Sequence, residues 1–280
     1  MKITSLLFGI FSGCISLPLA CAADYTWNGG NASWTDSGAW LLDGNAADWV
    51  NGSNALFQTG STLAVGSGIS ASGLLYEGVA VTLNGCSLTL TGNASGSNGG
   101  SATLSGTALT LNAADAEDAW TVRDTSLSGS STLTKTGNGT VTLSGTHTAN
   151  GTWNINEGTL VFTGTRDITG GGQINIASGA VLDTSEGRLF HAANYASNWE
   201  QPTITLNGGT LKLNQFGYNS ASLGCLQNNF YALKFSSGTT SRVVISQGYE
   251  SGGTGSRGIY IAGWGTTAVI ELGANQTFTW

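Results

Sequence analysis

Residues 131–164 read STLTKTGNGTVTLSGTHTANGTWNINEGTLVFTG. Three short runs within it, 141–143, 153–155 and 160–162, alternate apolar with polar residues and are separated by glycine-containing turns. In LTKTGNGTVTL (133–143) apolar and small polar residues trade places at every second position. A period of two puts one side of each segment in a core and the other in water, which is the signature of a half-buried strand. The same pattern recurs along most of the chain. It predicts an elongated all-β protein rather than an enzyme built round a pocket.

The repeated unit is apolar–x–apolar, a short turn with glycine, then small–apolar–x–apolar. It appears as VTLNGCSLTL (81–90), ATLSGTALTL (102–111), WNINEGTLVF (153–162), INIASGAV (174–181) and ITLNGGTLKL (204–213). Taking the apolar residue before each turn as a marker gives Leu83, Leu104, Leu133, Ile155, Ile176 and Leu206, with steps of 21, 29, 22, 21 and 30 residues. A unit near 21 residues, lengthened in places by a loop, is the pattern of a solenoid with surface insertions. No helical period accompanies it, which excludes helical and leucine-rich repeats. Thr82, Thr89, Thr110 and Thr142 are then expected to face outward, where β-branched hydroxyl side chains suit a pleated surface. Asn-Gly pairs at 84–85, 138–139, 150–151 and 207–208 are expected to supply positive φ at the corners. The rival architecture is an antiparallel sandwich or barrel, because Asn-Gly is also a hairpin signal. The near-regular period favours the coil.

Composition narrows the function. The 280 residues include 43 glycines, 2 prolines, 40% hydrophobic and only 9% charged residues. Glycine-rich chains can be disordered, but apolar residues spaced in pairs at alternate positions predict a folded core. The net charge of −7, from 9 basic and 16 acidic residues without a basic cluster, gives no electrostatic footprint for nucleic acid.

Residues 1–22 read as a secretory signal: Lys2, an apolar run over 6–19, and Ala20-Cys21-Ala22 before the expected cleavage. The run is too short to span a membrane as a helix. A lipoprotein reading, with FSGC (11–14) as lipobox, is the lesser option. Residues 23–60 form a tryptophan-rich N-terminal segment, and residues 61–280 the repeats. Cleavage leaves Cys86 and Cys225, which a stacked fold would hold many layers apart, as two buried thiols.

The segment LTKTGNGTVTLSG (133–145) followed by NINEGTLVF (154–162) resembles the autotransporter-associated β-strand repeat of bacterial surface-protein passengers. The likeness is looser over 79–113 and 174–213. The opening YTWNGG (25–30) with Trp34, Trp40 and Trp49 is similar to the tryptophan-rich start of such passengers. The resemblance implies a right-handed parallel β-helix (β-solenoid), exported through an outer membrane and displayed or released there. It also implies a C-terminal translocator barrel, whereas 268–272 and 278–280 amount to a strand or two. The chain is therefore expected either to continue in a longer protein or to be exported by another route, and self-secretion is not carried over.

Candidate chemistry is sparse. Asp115, Glu117 and Asp118 with Arg123 and Asp124 form the one dense charge cluster, and with Arg166, Asp167 and Arg188 they would suit a polysaccharide-cleaving β-helix if stacked on one outer face. A solvated loop is the plainer reading. His147 lies in a Thr/Gly turn and His191 opens the aromatic excursion 190–199, without a Gly-x-Ser-x-Gly nucleophile motif beside them. No metal-ligand spacing occurs, and GTGSRG (253–258) is expected by chance among so many glycines. Trp34-Thr-Asp-Ser-Gly-Ala-Trp40 is one residue short of an Asp-box. The tryptophans are expected to close the end of the first layer; alternatively Trp34, Trp40, Tyr195 and Trp199 contact a glycan. The expected role is a non-catalytic structural stalk or adhesin, secreted or at the cell surface, without cofactor or metal. Its expected partner is a surface ligand, either a glycan or a protein of a host or neighbouring cell, and not nucleic acid.

Overall fold

The computed structural model describes residues 22–30, 33–166, 172–187, 189, 203–213, 215–216, 225–226, 232–245, 260–262 and 267–272. Among these every regular element is a strand. Residues 1–21, Asp167, Arg188, the excursion 190–199 with His191, Tyr195 and Trp199, the 253–258 glycine motif and residues 273–280 lie outside the described residues.

The chain winds as a parallel β-solenoid. Each coil contributes strands to up to three faces, and each strand pairs in parallel with its counterpart in the next coil. On the first face the inward row runs Trp120, Val141, Leu160, Leu182, Leu211, Val243 in register. On the second it runs Leu63, Leu83, Leu104, Leu127. On the third it runs Leu88, Leu109, Leu133, Trp153, Ile174, Ile204, Leu233. All these residues are buried, whereas Thr82, Thr89, Thr110 and Thr142 are half-exposed. Strand alternation therefore sorts the chain as its period demands: a dry apolar column inside and a Thr/Ser/Asn surface outside.

The marker series needs one correction. Leu104 is covered by Leu127, and Leu133 covers Leu109 on a different face. Ile155 covers Lys135. The step from Leu104 to Leu133 therefore crossed from one face to another, because two faces of the coil carry the same apolar–x–apolar motif. The corner glycines also divide into two kinds. Gly85 and Gly208 do adopt positive φ. Gly139 and Gly151 do not; they are glycines because a Cβ would lie 2.5 Å from the Asp115 carbonyl oxygen and 2.2 Å from that of Ser131.

Among the described residues, one part departs from parallel pairing. Asp24–Trp27 pairs antiparallel with Trp40–Leu42, which pairs antiparallel with Asn45–Ala47. Asp24–Trp27 also pairs in parallel with Ser53–Phe57, which ties this hairpin ribbon to the first coil.

The ladder also places the cysteines. Five stacked pairings, from Leu88 through Leu109, Leu133, Trp153 and Ile174 to Ile204, separate the strand of Cys86 from the coil that leads to Cys225. At ~4.8 Å per pairing that is ~24 Å. A disulfide requires Cα atoms within about 7 Å, so these two cannot join within one chain.

Candidate functional site

The tryptophan cluster is an interior feature. Trp27, Trp34 and Trp40 are buried with Phe57 beneath them, and Trp49 is half-buried at the margin. Ring centroids lie 5.1 Å apart for Trp27 and Trp40 and 4.8 Å for both Trp34–Trp40 and Trp40–Trp49, in tilted or edge-on contact. Trp27 Nε1 donates to Ser61 Oγ at 2.8 Å, and Trp40 Nε1 donates to the Trp34 carbonyl at 2.8 Å. Trp34 and Trp40 have 0% exposure, so neither offers a ring face to a sugar. This corrects the glycan-contact expectation for these two residues. The antiparallel ribbon turns Trp40 inward, and the Trp34 backbone N–H, donating to the Ala64 carbonyl at 2.8 Å, holds the other ring over the first coil.

The acidic loop is occupied with its own backbone. Asp118 Oδ2 accepts from the Asp115 N–H at 3.0 Å, and Asp124 Oδ2 accepts from the Gly96 N–H at 3.1 Å. Arg123 and Asp124 form an exposed pair at 3.7 Å, of a kind that contributes little to stability. Arg166 does not join them on an outer face, because its side chain is fully buried. The arrangement expected of a polysaccharide-cleaving site is thus not assembled from the described residues. Nor do they hold a cluster of His, Cys, Asp and Glu fit for a metal ion. Among them no helix is long and apolar enough to cross a membrane.

The unusual chemistry lies inside the column, in the coils around residues 131–166. Lys135, His147 and Arg166 are each fully buried there. Lys135 follows Leu133 at the same strand parity, so the Thr132–Thr136 strand turns it inward. Its ammonium donates to the carbonyls of Thr136 at 2.8 Å, Gly137 at 2.7 Å and Glu157 at 3.3 Å. Glu157 Oε2 accepts from the Gly137 N–H at 2.8 Å, which fixes the same corner from outside. Burial lowers the basicity of Lys135 to about 8, against the opposing pull of Glu157. Lys135→Met keeps the stem but leaves three carbonyls without their donor. We expect it to cost about 3 kcal/mol in urea unfolding, and a loss below about 0.5 kcal/mol would show that water replaces the ammonium.

His147 and Arg166 sit opposite each other in register on a short parallel pair, Thr146–His147 with Thr165–Arg166. His147 Nδ1 accepts from the Leu127 N–H at 3.2 Å. The ring proton therefore belongs on Nε2, which faces the Ser144 carbonyl at 3.2 Å. The ring packs at 5.8 Å from Trp153 and 5.7 Å from Phe162. The Arg166 guanidinium carbon lies 4.5 Å from the Trp153 ring centroid, and Nη2 donates to the Gly151 carbonyl at 2.7 Å. Burial lowers the His147 pKa to about 4; the Ser144 carbonyl opposes that shift and the Arg166 charge adds to it. A free histidine titrates near 6.5. The folded form thus resists the proton that the unfolded form accepts, and the associated stability is intact above about pH 6.5 and is lost as pH falls toward 4. The full loss is ~3 kcal/mol.

Sequence reading missed this column because it placed His147 in a turn and weighed Arg166 only as a possible member of an outward charge row. The signal that could have found Lys135 was its parity with Leu133. Two-residue strands carry no alternation, so nothing comparable marked His147 or Arg166.

The geometry defines a parallel β-solenoid with a closed aromatic end and a partly cationic core. The passenger-associated-transport-repeat family matches residues 133–162. That segment therefore carries the passenger repeat whose likeness its sequence shows. No curated protein and no solved structure matches the chain.

Proposed function

We propose that the chain is a segment of an exported passenger, displayed at the cell surface or released from it, that acts as a structural stalk or adhesin without catalysis. One observation carries the reading. Throughout its described coils the chain commits its large apolar side chains to the interior column, and presents rows of Ser, Thr and Asn outside. Such a body offers stiffness and length, with contacts made by its loops. Residues 23–60 serve in this reading as the cap that shields the first coil from water, and residues 1–22 as the export signal. The ligand contact, to a glycan or to a protein of another cell, falls to Tyr195 and Trp199 in the aromatic excursion. An outer-membrane translocator encoded elsewhere, or further along a longer chain, completes the export route.

Limited proteolysis of intact producing cells tests this. Peptides from 61–280 should be released without lysis. Full protection on intact cells, with digestion only after the envelope is broken, would overturn the proposal.

A further inference from the structure

We propose that the coils around residues 125–166 form an acid-opened joint, in which protonation of His147 parts the Thr125–Ser128 strand from the turn that covers it while the coils below stay closed. The inference is independent of where the protein is displayed and rests on how this face is built.

On the second face the ladder is continuous from Ser61–Ala64 through Ala80–Leu90 and Ser101–Asn112 to Thr125–Ser128. There it changes. Thr146–His147 pairs upward with Thr165–Arg166 as a separate two-stranded ladder. Downward, the Leu127 carbonyl accepts from the N–H groups of Thr148 and Ala149, at 2.8 and 3.1 Å. The Leu127 N–H, however, finds its acceptor in the imidazole Nδ1 of His147. A side chain thus stands where a strand carbonyl would otherwise close the ladder. A carbonyl cannot titrate under ordinary conditions; an imidazole can.

The consequence follows from donor and acceptor counts. Neutral His147 accepts at Nδ1 and donates at Nε2, and both atoms are satisfied. Adding a proton to Nδ1 turns the acceptor into a donor that faces the Leu127 N–H, so one hydrogen bond is lost and two like dipoles meet. The new cation is fully buried beside Arg166, its register partner. Among the described strands that pack here, none but Thr165–Arg166 brings a charge to His147. Thr125–Ser128, Thr140–Leu143, Trp153–Ile155 and Thr159–Phe162 contain no titratable residue, and Thr165–Arg166 contributes a second cation. A buried, uncompensated charge is relieved by exposure to water. The ring can reach water only if its turn lifts from Leu127. Coils over 69–111 contain no buried histidine, lysine or arginine; where side chains take their N–H groups the acceptors are oxygens, of Asn51 at Ser70, Asp124 at Gly96 and Ser131 at Thr107.

Hydrogen exchange of the full chain, followed by mass spectrometry at pH 7.5 and pH 4.5 and corrected for intrinsic rates, tests the joint. Peptides covering 125–166 should lose protection by about tenfold or more at pH 4.5, while peptides covering 69–111 keep theirs. His147→Gln retains an oxygen acceptor for Leu127 without a titrating group, and should hold 125–166 closed at both pH values. Equal loss along the whole solenoid, or an unchanged acid response in His147→Gln, would overturn the proposal. If that variant does not fold, nitrogen NMR of the native chain decides between the outcomes. With only two histidines present, the His147 resonances should report the Nε2–H tautomer and stay neutral through pH 6. Ordinary titration near 6.5 in the closed coil would contradict the mechanism.

Discussion

A Gly137→Ala variant should lose the stacked fold around residues 113–158, at a cost of about 4 kcal/mol or more. Gly137 holds φ +74° at the corner between Thr132–Thr136 and Thr140–Leu143. A Cβ there would lie 2.0 Å from the Ala113 carbonyl oxygen, 2.5 Å from its carbon and 2.8 Å from Ala114 Cα. All three are backbone atoms of the coil beneath, so no rotamer change can relieve the contact. The same residue receives the Lys135 ammonium on its carbonyl and gives its N–H to Glu157. Separating the coils enough to admit a methyl group would break both. Gly85→Ala is the control: its φ is +62°, but nothing lies within 4 Å of its Cβ position. That change should cost only the left-handed strain, about 1 kcal/mol. Urea unfolding followed by circular dichroism separates the two. Equal losses would mean that backbone conformation, not coil-to-coil approach, sets the corner.

Trp153→Ala should be the most damaging single change in the column, at about 3–5 kcal/mol for the void alone. The indole is fully buried, and its ring lies 5.2 Å from Phe162 and 5.8 Å from His147. It also carries the Arg166 guanidinium on its face at 4.5 Å. Removing the ring deprives a buried cation of its π surface, which adds about 1–2 kcal/mol. Because each coil contacts only its neighbours, the damage should spread as a local opening rather than a uniform loss. Unfolding of the variant should therefore split into two transitions, with the 125–176 region first. Trp153→Phe should restore part of the loss, and Thr142→Ala on the outer face should change stability by less than about 0.5 kcal/mol. A single cooperative transition at the native midpoint would refute the packing described for Trp153.

The parts of this fold that the chain announces are those governed by strand alternation. Leu133, Val141, Leu143, Ile155, Leu160 and Phe162 all lie inward, as their period demands, because only one register keeps a whole apolar row out of water. The numbering of the coils was less legible. Two faces repeat the same motif, so Leu104 and Leu133 look like successive rungs although they belong to different ladders. The antiparallel ribbon at 24–47 was not foreseen either, since its strands, Asp24–Trp27, Trp40–Leu42 and Asn45–Ala47, are too short to show a repeated alternation. The cationic core lay furthest from view. Lysine and arginine are almost never fully buried, and what allows it here is a set of corner carbonyls around Lys135 and an indole face beneath Arg166. The Glu157 carbonyl and the indole face come from other parts of the coil stack, which local sequence does not encode.

The central claim, that successive coils add along one axis in parallel register, is tested most directly by pulsed electron paramagnetic resonance. Spin labels on the outward row would pair Thr89 in turn with Thr134, Asn154, Asn175 and Thr205, in a background with Cys86 and Cys225 replaced by serine. Backbone separations should grow by ~4.8 Å with each coil, reaching ~24 Å between residues 89 and 205. Separations that stop growing, or shorten, as the second label moves along the row would contradict the solenoid.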